Sequence, residues 1–156
     1  MFFKALVKRF FLLEKFKLDS RLENDSILID VFEGIQIRTK NDSRYIWFIL
    51  VPTISKLKEW HDLPRPLEAN LLFFTRNLSH FLSKTLNTTK INIASLGNVV
   101  SQFHLHIVAR YKDDPSWPNP IWGDGITLEL KKDEIHMRKK LIKDFHQYLS
   151  NLKKSH

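Results

Sequence analysis

The chain has 156 residues, 43% of them hydrophobic, and its 12 phenylalanines and 4 tryptophans indicate one globular domain and exclude a disordered chain. It has no cysteine, which excludes disulfides, thiol nucleophiles and cysteine-ligated zinc, and we expect a cytoplasmic protein. The formal net charge of +8 lies at the two ends, because residues 1–17 carry +4, residues 131–156 carry +5 and residues 18–130 carry −1.

The two basic ends have several possible partners, namely nucleic acid, anionic lipid or an acidic protein. Solvated helix faces explain the same charges, and no base-reading or base-stacking motif accompanies them, so we expect no nucleic-acid partner. No apolar run approaches the ~20 residues that cross a bilayer, so we also expect no membrane span. Lys8 and Arg9 interrupt the apolar N-terminal stretch, which favours a retained helix over a signal peptide.

The first half of the chain predicts one helix and three strands. Glu33 and Gly34 separate two apolar segments and are typical of a hairpin turn. Pro52 ends a run that is almost wholly apolar, which is typical of a central strand buried on both faces. The predicted elements are a helix over residues 4–16, a polar break over 19–26, strands over 27–32 and 35–39, a turn over 41–44 and the central strand over 45–51.

The second half predicts two helices and two further strands. Pro64 and Pro66 mark the start of the first of these helices, and apolar residues then recur at helical spacing. The predicted elements are this helix to about residue 86, strands over 91–96 and 102–111, a loop over 112–126 and a C-terminal helix over about 131–152. The order predicts an α+β fold, a mainly antiparallel sheet with flanking helices, in a single domain over residues 1–156.

The run over residues 102–108 alternates polar and apolar side chains at the period of a strand. Strand geometry places Gln102, His104 and His106 on one face, with the two histidines roughly 6.6 Å apart. A backbone carbonyl two residues earlier is placed to accept from Nδ1 of His104, which would leave Nε2 of that ring free as a nucleophile. Positive charge on His106 would then stabilise the oxygens of the group under attack, without a metal.

Two other interpretations of the histidines remain open at this point. They can be ordinary structural residues of the strand, or they can be two ligands of a zinc ion, because a His-x-His strand has suitable spacing. The zinc interpretation needs a third ligand, and His61 and His80 are the candidates, although neither has a recognisable spacing.

The segments around the histidine run carry glycine, amide and aromatic side chains. Gly97 allows a ligand to approach the backbone closely, and Asn98 and Asn92 offer amide groups, although ordinary turn chemistry also explains the two asparagines. Residues 113–123 contain three prolines and two tryptophans. This stiff loop is placed either to wall a site and stack a base, or to fold onto the core by its own tryptophans.

The run GNVVSQFHLHIV over residues 97–108 resembles the signature of the histidine-triad (HIT) superfamily, His-φ-His-φ-His-φ-φ with φ apolar. The similarity covers about residues 17–123, and the stretches outside the signature resemble a proteobacterial branch of the superfamily. Its further matching stretches are residues 18–22 with 25–26, 41–45 leading into 50–52, and 114–118 running to 122–123.

This resemblance implies a HIT-like α+β fold, a homodimer and a purine nucleotide substrate, with no cofactor. It also implies cleavage at the α-phosphate of a nucleotide derivative through a nucleotidyl-histidine intermediate. Carried over by position, the implied site consists of the nucleophile His104, the phosphate contact His106, the phosphate-side residues Asn98 and Asn92, and Asn41 and Asp42 near the ribose-binding turn.

Two positions depart from the family pattern. Gln102 stands at the first triad histidine, and Ser55 lies near the place where many relatives carry a histidine after the Leu-Val-Pro strand. If the first triad position acts through its backbone carbonyl, glutamine preserves that role. The sequence therefore predicts a hydrolase of nucleotide phosphoanhydride or phosphoramidate bonds, with a catalytically weak nucleotide-binding sensor or scaffold as the alternative.

Overall fold

The computed structural model describes residues 15–154. The predicted N-terminal helix lies outside these residues except for Lys15 and Phe16, which are not helical. The described elements are helix α1 Ser20–Asp25, strands β1 Ser26–Phe32, β2 Ile35–Lys40 and β3 Ile46–Pro52, a 3₁₀ turn Trp60–Asp62, helix α2 Arg65–Leu86, strands β4 Lys90–Ala94 and β5 Leu105–Arg110, and helix α3 Lys132–Lys154.

The five strands form one antiparallel sheet in the order β1-β2-β3-β5-β4. The almost wholly apolar β3 is the middle strand, as its sequence predicts, and six of its seven residues are buried. β5 lies between β3 and β4, with His106 opposite Ile49 on one side and Ala94 on the other. The predicted α+β fold is confirmed, and the histidine strand is held by partners on both edges.

The two long helices cover one face of the sheet. Apolar residues of α2 and α3 pack there with Phe103, Leu105 and Ile107, which occupy the apolar face of the histidine run. On the opposite face a second apolar cluster includes Trp47, Val108 and Trp122. The alternation in the run therefore separates the helix-covered core from the face that carries His106. Within residues 15–154, neither helix is long and apolar enough to cross a membrane.

The structure corrects three predicted boundaries. The polar break over 19–26 contains the short helix α1, because the Asp19 carboxylate accepts a hydrogen bond from the backbone N–H of Arg21 and caps it. The strand predicted over 91–96 ends at Ala94. The histidine strand begins at Leu105 rather than at residue 102, because Phe103 bonds its N–H to the carbonyl of Leu57 instead of to the sheet. The hairpin, the 41–44 turn and the 112–126 loop are confirmed.

Candidate active site

The two histidines of the run lie together at the start of β5, where His104 immediately precedes the strand and His106 is its second residue. Their ring centroids are 4.7 Å apart and their planes meet at 86°. Only 6% of His104 and 7% of His106 is exposed. Because both rings are nearly buried, their protonation and tautomers depend on the few groups that contact them.

His104 is held by the backbone two residues before it. Its Nδ1 lies 2.7 Å from the carbonyl oxygen of Gln102, the contact that the sequence predicts. A carbonyl only accepts hydrogen bonds, so Nδ1 carries the proton and, in the neutral ring, Nε2 keeps its lone pair. Burial lowers the pKa of His104, against the opposing effects of the Gln102 carbonyl and the Asp19 carboxylate. The ring is therefore neutral at pH 7 with a free nitrogen.

His106 has the opposite tautomer because its partner is a donor. The indole Nε1 of Trp47 lies 2.9 Å from Nδ1 of His106. An indole N–H only donates, so Nδ1 accepts and the proton of the neutral ring is on Nε2. Burial lowers the pKa of His106 to about 3, and the electrostatic effects of the neighbouring His104 ring and of the Lys40 ammonium add to that lowering. The predicted positive charge on His106 is therefore wrong: the ring is a neutral N–H donor.

Two tryptophans surround His106. Its ring centroid lies 5.4 Å from that of Trp47 and 5.6 Å from that of Trp122, both in edge-to-face geometry. Trp122 comes from the stiff loop, which therefore both folds onto the apolar cluster and walls the histidine pair. The indole Nε1 of Trp122 is buried and has no hydrogen-bond partner among the described residues. The sequence did not identify Trp47 as a site residue, because only the β3–β5 register places it beside His106.

Gln102 uses its side chain to hold the segment before α1. Its Oε1 accepts from the backbone N–H of Asp19 at 2.8 Å, and its Nε2 donates to the carbonyl of Lys17 at 3.0 Å. Its backbone carbonyl binds His104. The residue therefore links the 17–19 segment to the proposed nucleophile, and both polar atoms of its amide are already bonded.

Asn92 shares the face of His106 but binds a neighbouring arginine. It lies opposite Val108 on β4, and its Oδ1 accepts from Arg110 at 2.8 Å. Arg110 is only 1% exposed and also bonds Asp114 and the carbonyl of Asn119. Asn92 therefore contributes to anchoring the loop that carries Trp122.

The remaining predicted binding residues divide into one exposed residue and two residues with local bonds. Asn98 is exposed in the segment before the histidine run. Asn41 accepts a hydrogen bond from the N–H of Leu130 at 3.0 Å. Asp42 is 1% exposed and forms an ion pair with Arg44 at 2.7 Å. In this structure, the Asp42 side chain stabilises the turn, and the Asn41 side chain binds the segment at Leu130 that packs against it.

The third ligand of the zinc interpretation is not supplied by the described part of the chain. His61 is exposed beside Asp62, and His80 stacks on Tyr148 of α3 on the helix-covered side. Among residues 15–154, no group of three or more histidine, aspartate or glutamate side chains is placed to hold a metal ion. The two neighbouring rings instead offer one lone pair, on Nε2 of His104, and one N–H donor, on Nε2 of His106.

Comparison with known proteins identifies one matching family and several solved structures with a similar fold. A sequence model described as the HIT domain matches residues 21–113, more than half of the chain. The chain is similar to a histidine triad (HIT) protein from Sinorhizobium meliloti 1021, with 40% identity, a TM-score of 0.79, and coverage of 83% of this chain and 96% of that one. A histidine triad protein from Marinobacter aquaeolei VT8 is 32% identical with a TM-score of 0.82, covering 87% and 99%. No protein with a curated description matches significantly.

Proposed function

Because this chain belongs to the HIT domain family, we propose that it cleaves nucleotide derivatives at the α-phosphate through a nucleotidyl-histidine on His104. Proteins of this family are generally nucleotide-binding hydrolases or transferases. The observation that carries the proposal is the pair of opposite tautomers, with a free Nε2 on His104 and an Nε2–H on His106. A nucleophile and a neutral hydrogen-bond donor side by side are what attack on a phosphate ester derivative requires.

The first step transfers the nucleotidyl group to the protein. The Nε2 lone pair of His104 forms a bond to the α-phosphorus, and the bond from phosphorus to the leaving group breaks with its electron pair. The leaving group departs as its anion, or takes a proton from solvent when it is an amine. The imidazole then carries a positive charge, which the carbonyl of Gln102 stabilises through Nδ1–H. The Nε2–H of His106 donates to a phosphoryl oxygen throughout.

The second step returns the protein to its starting state. A water oxygen bonds to phosphorus, the P–Nε2 bond breaks, and its electron pair returns to His104 while the water releases a proton to solvent. When another acceptor replaces water, the same chemistry is a transfer. We assign Asn98 to the phosphate side of the site. We infer that glutamine is tolerated at the first triad position because that position acts through its backbone carbonyl, which accepts the hydrogen bond from Nδ1 of His104.

The other predicted residues support this site in the proposal. Asn92 acts by positioning Arg110 and the loop of Trp122. Asn41 and Asp42 act through the turn they stabilise, next to the ribose. The substrate is a purine nucleotide derivative, the protein is a homodimer in the cytoplasm, and the reaction needs no metal. Turnover that disappears after EDTA treatment and returns with zinc would contradict the last point.

The test is to trap the covalent intermediate. Wild-type protein quenched in acid-free denaturant during turnover of adenosine 5′-phosphoramidate or a dinucleoside polyphosphate should gain the mass of one nucleotidyl group on the peptide that contains His104. His104→Ala should lose the adduct and about 10⁴-fold or more of the rate. His80→Ala on α2 is the matched control and should retain both.

A nucleotide-binding sensor is the second candidate, because Gln102 stands in place of the first triad histidine and its side-chain amide is bonded to residues 17–19. Tight AMP binding without turnover or adduct would favour it. A His104→Ala variant that keeps more than about a tenth of the wild-type rate would reject the covalent mechanism itself.

A further inference from the structure

A small cavity lies at the far end of β5 from the histidine pair, on the helix-covered face of the sheet. It has a volume of about 190 Å³, and it is lined by residues 43–46, Ala109, Tyr111, Asp114, Glu134, Met137 and Arg138. Ile46 packs against the helix-covered core and lies opposite Ala109, so the cavity is on the face away from His106. Tyr111 follows His106 by five residues, about 16 Å at ~3.3 Å per residue, so the cavity is separate from the histidine pair.

Arg138 gives this cavity a buried cation whose hydrogen bonds are incomplete. Only 2% of the residue is exposed. One terminal nitrogen donates to the carbonyl of Tyr45 at 3.0 Å, and the other lies 3.3 Å from the sulfur of Met137, which is a weak acceptor. Its Nε is buried and has no hydrogen-bond partner among the described residues. Because a guanidinium stays charged, this arrangement leaves a buried positive charge without a matching anion.

The two other arginines of this region each have a carboxylate of their own. Arg44 lines the cavity and pairs with Asp42 at 2.7 Å. Arg110 pairs at 2.7 Å with Asp114, which also lines the cavity. Each pair is bidentate, so these four charges are already matched. Arg138 differs from both, because its bonds within the described chain go to a carbonyl and a sulfur.

Glu134 is the remaining charged residue of the lining, and its carboxylate is directed to the start of α3. Its Oε2 accepts from the backbone N–H of Lys131 at 2.8 Å. Burial lowers the pKa of Arg138, and the electrostatic effects of Glu134 and Tyr111 oppose that lowering. Glu134 is therefore near enough to repel an anion in the cavity, although it forms no ion pair with Arg138 in the described structure. The amino-terminal end of α3, whose dipole attracts anions, acts in the opposite direction.

We propose that this cavity binds a single phosphate group, at a site separate from the proposed nucleotide site on the other face of the sheet. A phosphate brings only acceptors and negative charge, which match the unbonded Nε–H of Arg138 and the hydroxyl of Ser43. The cavity has room for about six waters at about 30 Å³ each, and it is smaller than the roughly 300–1,000 Å³ of pockets for drug-sized ligands. Because its lining joins α3 to residues 43–46, bound phosphate stabilises the docking of α3.

The first experiment follows the arginine Nε–H signals by ¹⁵N NMR while orthophosphate is titrated into the full chain at constant ionic strength. The signal that Arg138→Gln removes should shift with phosphate and saturate. Calorimetry should show at least about tenfold weaker binding in Arg138→Gln. The matched control Lys139→Gln removes an exposed cation next to Arg138 and should bind like wild type. An Arg138 signal that does not shift, or equal affinity in the two variants, would overturn the proposal.

A second variant tests the site without replacing a buried residue. Glu134→Gln removes the repelling charge and keeps an oxygen acceptor for the N–H of Lys131. We expect it to bind orthophosphate about threefold to tenfold more tightly than wild type, because the added attraction is electrostatic. Unchanged or weaker binding in Glu134→Gln would contradict the assignment of the cavity.

Two further measurements separate this site from the histidine pair and identify the source of the phosphate. The shift of the Arg138 signal should have the same midpoint in His104→Ala as in wild type, whether or not the protein hydrolyses nucleotides. Loss of the shift in His104→Ala would overturn the separate site. Glycerol 3-phosphate is titrated beside orthophosphate, since tighter binding of orthophosphate indicates the free ion and the reverse order indicates a phosphate carried by a small organic molecule. If neither compound shifts the Arg138 signal, the cavity is not a phosphate site.

Discussion

The hydrogen bond from Trp47 fixes the tautomer of the proposed donor His106, and Trp47→Phe removes it while retaining an aromatic ring. The indole Nε1 lies 2.9 Å from Nδ1 of His106, and only 6% of Trp47 is exposed. Without it, Nδ1 becomes a buried acceptor with no donor from β3. The ring can then place its proton on either nitrogen, and only the Nε2–H form serves the reaction.

The expected size of the effect follows from the energy of one buried hydrogen bond. Leaving a buried acceptor without its partner costs about 1–3 kcal/mol, so we expect the free energy of unfolding to fall by about 2 kcal/mol. Losing about 1 kcal/mol of preference for the correct tautomer lowers kcat/KM by up to about fivefold. The pKa of His106, about 3 in the native protein, rises because the neutral form loses a bond, but the ring stays neutral at pH 7.

The assay combines kinetics with ¹⁵N NMR of the histidine rings, which distinguishes the two tautomers. The matched control is Trp60→Phe, since the indole of Trp60 donates to Glu68 at 2.9 Å and packs in the helix-covered core. We expect Trp60→Phe to lose comparable stability but to keep kcat/KM and the His106 tautomer. If Trp47→Phe leaves the Nε2–H tautomer fully populated, or if both variants lose equal activity, the reasoning about His106 is refuted.

Three further predictions concern pH, Gln102 and assembly. The pKa of His106 is about 3 in the folded chain and about 6.5 when unfolded, so between these values only the unfolded state binds the extra proton. The contribution of His106 to the free energy of unfolding should therefore be constant above about pH 6.5 and lower by about 2 kcal/mol at pH 5, and urea titrations at both pH values test this. A His106→Gln protein should lose that part of the slope, and an unchanged slope would contradict the assignment. Gln102→Ala should lower the free energy of unfolding by about 2 kcal/mol, because the bonds to Asp19 and Lys17 disappear, whereas Gln102→His keeps the backbone carbonyl and should change kcat by less than about tenfold. A larger change in Gln102→His would show that the backbone carbonyl alone does not account for the role of this position. Light scattering at micromolar concentration should give twice the mass of one chain, as Ile93 is 49% exposed on the outermost strand β4, and the mass of a single chain would contradict the homodimer.

The sequence predicted the architecture well because the patterns that define it are local. The apolar run that became β3, the hairpin at Glu33 and Gly34, and the helical stripe of α2 each depend on residues close in sequence. The contact from His104 to the Gln102 carbonyl was also predictable, since it joins residues two positions apart. The boundary at residue 102 was not predictable, because the bond from Phe103 to Leu57 spans two distant segments.

The chemistry of His106 shows where sequence reasoning ends. Its position beside His104 follows from the alternation of the run, but the sequence predicted a positively charged ring, whereas the ring is neutral in the structure. Its protonation depends on burial and on Trp47, which the β3–β5 pairing brings from 59 residues away. A pKa responds to the groups in space around a ring, and sequence spacing does not contain that information.

The sequence by itself therefore determined the fold class, the histidine pair and the family resemblance. The tertiary structure decided the tautomers of the two histidines and the use of the Gln102 side chain to hold residues 17–19. The physical reason is the range of the interactions involved. Backbone periodicity acts over a few residues, whereas hydrogen bonds, burial and electrostatic fields act between any groups that folding brings together.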